Sequence, residues 1–183
     1  EIGRRLAAQP VAAAALIPGG VIAELGDDRQ RKMLDDVAEG ATLLALAHLE
    51  PGMRGVTTRV ATTAERQGDS WTLTGRKNPV LAGDSADVVV VSAALPDSQG
   101  VGLFLVDGEA LERKPFRTFD GQRAAQIDLN ATPAEPLGTG GDATQGLQNA
   151  LIRHQSALCA EAVGAMAEAL KLTTEYLTSR KQF

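Results

Sequence analysis

The chain is poor in the residues that form disulfides and aromatic stacking platforms. It has one cysteine, Cys159, and only 3% of its 183 residues are aromatic. A single cysteine excludes an internal disulfide and fits a reducing compartment, and its apolar neighbours predict a small buried residue. Few rings are available to stack on bases, which argues against binding of single-stranded nucleic acid. The formal net charge of −5 argues equally against a protein that binds a phosphate backbone.

The sequence also lacks a membrane segment and a metal-site pattern. No apolar run approaches the roughly 20 residues needed to span a bilayer. Pro10 and the pair Gly19-Gly20 interrupt the Ala-rich stretch near the N-terminus, which therefore does not resemble a signal peptide. A cytoplasmic protein is expected. The two histidines, His48 and His154, are isolated in the sequence, so they predict no metal centre.

Hydrophobic patterning divides the chain into three parts. The first forty residues have helical spacing, with Asp27 or Asp28 as the candidate N-cap of a helix over 29–39 and Gly40 just beyond it. From Thr42 the period changes to 2, and from Asp142 it is helical again for some forty residues. Short segments rich in β-branched residues predict strands over 43–48, 57–64, 71–75, 77–83, 88–91, 101–106 and 123–129.

This order of elements predicts an α+β fold with an antiparallel β-barrel or sandwich between helices. The expected domains are 1–41, the end of an N-terminal helical domain, 42–138, a middle β domain, and 139–183, the first helix of a truncated C-terminal helical domain. A helix of about forty residues is roughly 60 Å long, which exceeds the expected width of the β domain. Its apolar stripe, from Leu147 to Leu177, is therefore expected to pack on further helices or on another subunit.

Three segments carry a resemblance to a known family. The first, Leu44 to Gly52, stands where the family has a-l-T-E-P-x-A-G-S-D. The second, Gly75 to Asp87, resembles G-x-K-x-W-I-T-N-G-x-x-A-D, and the third, Arg153 to Phe183, ends on the family's R-x-Q-F. In order and spacing together, these segments resemble an acyl-CoA dehydrogenase, from the end of its N-terminal helical domain to the first helix of its C-terminal domain.

Several side chains differ from the family pattern. Leu49, Gly55 and Val56 stand in place of the Thr, Ser and Asp of the first motif. Pro79, Leu81 and Ala82 stand in place of the Trp, Thr and Asn of the second. This pattern resembles the divergent branch that includes the small subunit of pimeloyl-CoA dehydrogenase and subunits of heteromeric steroid side-chain dehydrogenases. Because hydrogen-bond donors are lost, the isolated chain is expected to bind FAD weakly or not at all.

The resemblance implies an oxidoreductase of fatty acid metabolism that uses FAD to oxidise the CH–CH bond next to an acyl-CoA thioester. It implies electron-transfer flavoprotein as the acceptor, a homo- or hetero-oligomer formed through the C-terminal helix, and a catalytic base outside this chain, which alone would be inactive. It assigns FAD contacts to Leu46, His48, Leu49, Arg54, Gly55, Pro79, Val80, Leu81, Arg180, Gln182 and Phe183, and substrate contacts to Gly55 and Arg153. Arg180 and Gln182 are implied to reach the FAD of a neighbouring subunit.

Two other functions remain open at this stage. The chain could be a non-catalytic partner that completes the fold and cofactor site of another subunit in a heteromeric acyl-CoA dehydrogenase. It could instead be a free-standing β-barrel module for acyl chains or carrier proteins, although the unpaired long helix counts against this. A flavin spectrum that an acyl-CoA bleaches distinguishes the enzyme from both alternatives.

Overall fold

The computed structural model describes residues 1–7, 9–54 and 58–182. The chain divides into two compact units, one of residues Pro10–Leu151 and one of residues Glu1–Gln9 and Ile152–Phe183. Within the described ranges, no helix has the length and apolar character needed to cross a membrane.

The α-helices of the described chain are α1 (Ile2–Arg5), α2 (Ile17–Leu25), α3 (Asp28–Glu39) and α4 (Thr144–Ser179), with a π-helical turn at Ala12–Leu16 directly before α2. Helix α3 begins at a capping box. The Asp27 carboxylate accepts from the Gln30 N–H at 2.7 Å, and the Gln30 side chain accepts from the Asp27 N–H at 3.1 Å. Gly40 ends the helix in the left-handed conformation, with φ of 76°. The predicted start and end of this helix are confirmed.

The strands are β1 (Leu44–Ala47), β2 (Thr63–Gln67), β3 (Ser70–Leu81), β4 (Val88–Ala94), β5 (Val101–Asp107), β6 (Glu112–Arg117) and β7 (Arg123–Pro136). Five of them close into a ring in which β4 pairs with β2, β2 with β3, β3 with β7, β7 with β5, and β5 with β4. Strand β1 is added beside β4, and β6 beside β7. The predicted α+β class with a β-barrel is therefore confirmed.

The barrel is mixed rather than wholly antiparallel. Strand β1 runs parallel to β4, from the pair Leu44 and Val88 to the pair Ala47 and Val91. Strand β2 also meets β4 in parallel, at Thr63 and Ala94. A parallel pair needs a long crossover connection. Here the crossover contains the antiparallel hairpin of β2 and β3, and this non-local arrangement cannot be read from strand periodicity.

Three strand predictions need correction. Of the segment predicted as a strand over 57–64, residue 57 lies outside the described residues. The strand begins only at Thr63, because a carboxylate rather than a neighbouring strand accepts from the N–H groups of Ala61 and Thr62. The two strands predicted over 71–75 and 77–83 are one continuous strand, β3. Strand β6 was missed because it is highly charged and includes Pro115.

The larger unit has two apolar layers, one inside the barrel and one between the barrel and the helices. Strand β4 contributes side chains to both layers. Val89 and Val91 lie in the barrel interior, and Val90 packs in the second layer. All three side chains are fully buried, as the unbroken run of Val predicts. The barrel interior is filled by Leu73, Val80, Phe104, Ile127 and Leu129, and the second layer by Val21, Ile22, Leu44, Leu103, Leu147 and Ala150.

In the smaller unit, α1 lies directly on the middle of α4. A Cβ atom at Gly3 would come within 2.0 Å of the Glu161 carbonyl oxygen, so this close approach requires glycine. The predicted burial of Cys159 is wrong, since its side chain is exposed. Helix α1 leaves much of the apolar surface of α4 exposed. The large apolar side chains exposed along it are Ile152, Leu158, Val163, Met166, Leu170, Leu172 and Leu177.

Candidate functional site

Two of the segments that the sequence motifs single out lie side by side at the end of strand β1. The Asn78 N–H donates to the Leu49 carbonyl oxygen at 2.8 Å. The Lys77 ammonium donates to the His48 carbonyl oxygen at 3.3 Å. These two bonds hold the residues that follow β1 against the second half of β3. Residues 46–50 and 77–81 together form the candidate site.

A buried ion pair lies beneath this region. Lys77 Nζ is 2.7 Å from Glu50 Oε1, with the Lys77 side chain fully buried and that of Glu50 only 9% exposed. The carboxylate also accepts from the Ala61 N–H at 2.6 Å, the Thr62 N–H at 2.9 Å and the Thr62 hydroxyl at 2.6 Å. Each charge is therefore compensated, as a buried charge must be. The same bonds hold residues 61 and 62 against the end of β1.

The pKa values of both partners are lowered, that of Glu50 by hydrogen bonds and that of Lys77 by burial. Burial alone would raise the pKa of Glu50, but the hydrogen bonds from Lys77, Thr62 and the Ala61 and Thr62 amides outweigh burial and lower it to about 2. Burial lowers the pKa of Lys77 to about 8, against the opposing effect of Glu50. At neutral pH the two groups therefore form a charged pair.

Ser92 on β4 extends the ion pair into a chain of buried polar groups. Its hydroxyl oxygen accepts from Lys77 Nζ at 3.2 Å and lies 3.0 Å from His48 Nδ1. The His48 side chain is 3% exposed, so it belongs to this buried group and only its main chain is available to a ligand. The chain of contacts runs from His48 through Ser92 on β4 and Lys77 on β3 to Glu50, so it joins two strands to the residues that follow β1.

Sequence reasoning missed the pairing of Glu50 with Lys77, although a signal for it exists. Strand β3 alternates, with Leu73 and Lys77 both directed inward and fully buried. A lysine at an inward position of a barrel strand requires an acidic partner in the interior. Glu50 follows the apolar strand β1 and is a carboxylate suited to that role. The spatial pairing itself depends on the tertiary fold.

The predicted FAD-contact residues of the larger unit differ in exposure. Leu49 is 40% exposed and Arg54 is also exposed, whereas Leu46, Pro79 and Leu81 are half-buried. Pro79 follows a cis peptide bond. The Val80 side chain is fully buried in the barrel interior, so only its main chain is available to a ligand. Gly55, predicted to contact both FAD and substrate, lies outside the described residues, as does Val56.

The remaining predicted contacts lie in the smaller unit. Arg153 is half-buried on α4, and Gln182 is exposed beyond its end. The Arg180 guanidinium is exposed, donates to the Tyr176 hydroxyl at 2.5 Å and lies 5.3 Å from the centroid of the Tyr176 ring. Phe183 lies outside the described residues.

The main chain of the site offers a donor to a ligand. Among the described residues, the Leu49 N–H has no hydrogen-bond acceptor. In a trans peptide, this N–H points away from the His48 carbonyl oxygen, and hence away from Lys77.

In the part of the chain that the structure describes, no three His, Cys, Asp or Glu side chains are grouped so as to hold a metal ion. The site is thus equipped for ligand recognition by main-chain groups and apolar side chains.

Comparison with curated proteins identifies relatives along most of the chain. No family model matches the sequence. It is 34% identical to acyl-CoA dehydrogenase FadE12 of Mycobacterium tuberculosis over 76 residues, which cover 41% of this chain and 20% of that protein. It is 26% identical to 3-sulfinopropanoyl-CoA desulfinase of Paraburkholderia xenovorans over 181 residues, which cover 90% of this chain and 46% of that protein. The chain spans less than half the length of these relatives.

Solved structures agree with this comparison. The structure called Tcur3481-Tcur3483 steroid ACAD matches with a TM-score of 0.86 and 34% identity, over 100% of this chain and 48% of that one. Glutaryl-CoA dehydrogenase from Mycobacterium smegmatis, in complex with FADH2, matches with a TM-score of 0.86 and 21% identity, over 94% of this chain and 46% of that one. The resemblance carried by the three motifs is confirmed, because the chain has the fold of acyl-CoA dehydrogenases over about half of their length.

Proposed function

We propose that this chain supplies part of the flavin site of an acyl-CoA dehydrogenase, which oxidises the Cα–Cβ bond of an acyl-CoA thioester. The observation that carries the proposal is the bond from the Asn78 N–H to the Leu49 carbonyl oxygen, which joins the two motif segments as a shared flavin site requires. When bound, FAD accepts the hydride that leaves the substrate. The bound FADH2 of the similar glutaryl-CoA dehydrogenase structure supports this choice of cofactor.

The residues of the site fit an isoalloxazine ring in two respects. The Leu49 N–H is a donor without an acceptor among the described residues, which suits the polar edge of the ring. The accessible apolar side chains of Leu49, Pro79 and Leu81 suit its flat face, where they would exclude water. Leu46, His48 and Val80 would contribute main-chain contacts, and Arg54 and Gly55 would complete the site.

The other predicted contacts belong to the same proposal. A guanidinium can pair with a pyrophosphate in a fixed two-point geometry, so Arg180, together with Gln182 and Phe183, is proposed to contact the FAD of a neighbouring subunit. Arg153 and Gly55 would contact the substrate. The catalytic base would come from outside this chain. A cytoplasmic setting and electron-transfer flavoprotein as the acceptor complete the proposal.

The proposal includes the domain order of the acyl-CoA dehydrogenases that the three motifs resemble. Residues 1–41 would end an N-terminal helical domain, residues 42–138 would form the middle domain, and residues 139–183 would begin a C-terminal one. The exposed apolar side chains of α4, such as Met166 and Leu170, would be covered by further helices or by another subunit.

The proposal is tested on the protein encoded by the complete natural reading frame, purified with any subunits that accompany it. We expect a flavin absorption spectrum that is bleached by at least one member of a panel of acyl-CoA thioesters. The panel should include straight-chain, dicarboxylyl and steroid side-chain substrates. A preparation that carries and takes up no flavin in any assembled form would contradict the proposal.

A second candidate function is that of a non-catalytic partner subunit. It is favoured by the apolar residues Leu49, Pro79 and Leu81 at three motif positions that are polar or aromatic in the resemblance. In this case Leu49→Trp, which adds bulk at an exposed position, should leave the flavin content of the complex unchanged. If this chain contacts the flavin, the same variant should lower that content.

A further inference from the structure

Strand β3 places a fully buried ammonium group directly behind the main chain of the site. Lys77 Nζ donates to Glu50 Oε1 at 2.7 Å, to Ser92 Oγ at 3.2 Å and to the His48 carbonyl oxygen at 3.3 Å. An ammonium group has three N–H donors, so all three are used. Two acceptors are side chains, and the third belongs to the peptide that joins His48 to Leu49.

This third bond links the buried charge to the available donor of the site. The peptide is planar, so fixing its carbonyl oxygen also fixes the direction of the Leu49 N–H on its other side. A cation bound to the carbonyl oxygen draws electron density along the amide and makes the N–H a stronger donor. Both effects act on a group that has no acceptor among the described residues.

We propose that Lys77 is a positioning residue for the flavin, acting through the His48 carbonyl to direct and strengthen the Leu49 N–H. This role rests on the proposed function above. Two-electron reduction places negative charge on the polar edge of the isoalloxazine ring. A stronger donor at that edge stabilises reduced flavin more than oxidised flavin and so raises the reduction potential.

A purely structural role for Lys77 makes a different prediction. Glu50 already holds residues 61 and 62 through bonds that do not involve Lys77. If Lys77 only neutralises Glu50, then removing both charges together should leave the reduction potential of the flavin unaltered, whatever the loss of an acceptor for Ala61 or Thr62 costs in stability. If Lys77 positions the Leu49 N–H, the same double variant should fold but bind FAD more weakly and give it a lower reduction potential.

The experiment compares Lys77→Met and the double variant Glu50→Gln/Lys77→Met with the wild type, in the complete, assembled protein loaded with FAD. The matched control is Lys114→Met, which removes an exposed lysine from β6. The measurements are the flavin reduction potential, the FAD dissociation constant and the urea midpoint. We expect FAD to bind roughly tenfold more weakly in both Lys77 variants, the upper end of the loss expected when one ordinary hydrogen bond is lost.

The reduction potential is the measurement that a structural role would not change. We expect reduced FAD to lose about tenfold more affinity than oxidised FAD, which lowers the potential of the two-electron couple by about 30 mV. The double variant keeps the test decisive if Lys77→Met fails to fold. An unchanged potential in a folded, flavin-loaded Lys77 variant would overturn this role alone, as would an equal shift in Lys114→Met. A wild-type protein that binds no FAD would refute the proposed function and this role with it.

Discussion

Glu50→Gln tests the buried ion pair by neutralising one partner. The pKa of Glu50 falls from 4.5 to about 2 on folding, and by linkage this shift contributes roughly 3 kcal/mol of stability at neutral pH. The glutamine amide group would also face N–H donors at Ala61 and Thr62 that now require an acceptor. An unsatisfied buried donor costs about 1–3 kcal/mol. These two figures overlap, because the bonds from Ala61 and Thr62 are among the causes of the lowered pKa. We therefore expect a total loss of about 3–5 kcal/mol, the range found when one partner of a buried pair is removed.

The assay is urea unfolding of the wild type and Glu50→Gln, followed from pH 7 into acid. Because the pKa of Glu50 is lowered in the folded state, its stabilising contribution is complete above pH 4.5 and is lost as the pH falls toward about 2. The two proteins should therefore differ most at pH 7 and converge in acid. The control is Glu112→Gln, whose exposed carboxylate lies 3.9 Å from Lys114 and is expected to contribute less than about 1 kcal/mol.

Two results would refute this reasoning. One is a Glu50→Gln protein whose stability at pH 7 lies within about 1 kcal/mol of the wild type, well below the cost of breaking a buried pair. The other is a stability difference that stays constant from pH 7 into acid, because the Glu50 carboxylate would then contribute nothing through its ionisation.

Other predictions concern the barrel interior and the long helix. Phe104→Ala removes a fully buried ring that lies 5.2 Å from the Trp71 ring, and we expect a loss of about 3–5 kcal/mol in urea unfolding; a loss below about 1 kcal/mol would contradict the packing described here. Leu170→Glu places a charge on an exposed apolar position of α4 and should reduce assembly in size-exclusion chromatography at little cost to the fold. Lys171→Glu, a neighbouring exposed change, is its control, and an unchanged assembly in Leu170→Glu would contradict the proposed use of this surface.

Local sequence patterns predicted the ends of α3, the buried strand β4 and the length of α4. Asp27 and Gly40 specify the ends of α3 because caps satisfy the backbone groups at each end of a helix. The unbroken run from Val88 to Val91 predicts a strand buried on both faces, which β4 is. The length of α4 and its uncovered apolar side chains also follow from spacing alone.

The features missed by the sequence depend on contacts between distant residues. Glu50 and Lys77 are 27 positions apart and meet only when β1 and β3 are both in place. The parallel pairing of β1 with β4 joins residues 44 positions apart, a separation for which periodicity gives no signal. Cys159 was predicted to be buried because apolar neighbours in the sequence indicate burial only when another element covers that face.

The most direct test of the central claim is titration with FAD of the isolated chain and of the complete, assembled protein, followed by flavin fluorescence. Two lost hydrogen bonds to strongly polar groups weaken binding by roughly a hundredfold, so we expect tight binding by the assembled protein and at least that much weaker binding by the isolated chain. Arg180→Ala should weaken binding by the assembled protein. Absence of FAD binding in the assembled protein would contradict the account, and tight stoichiometric binding by the isolated chain would contradict the need for a neighbouring subunit.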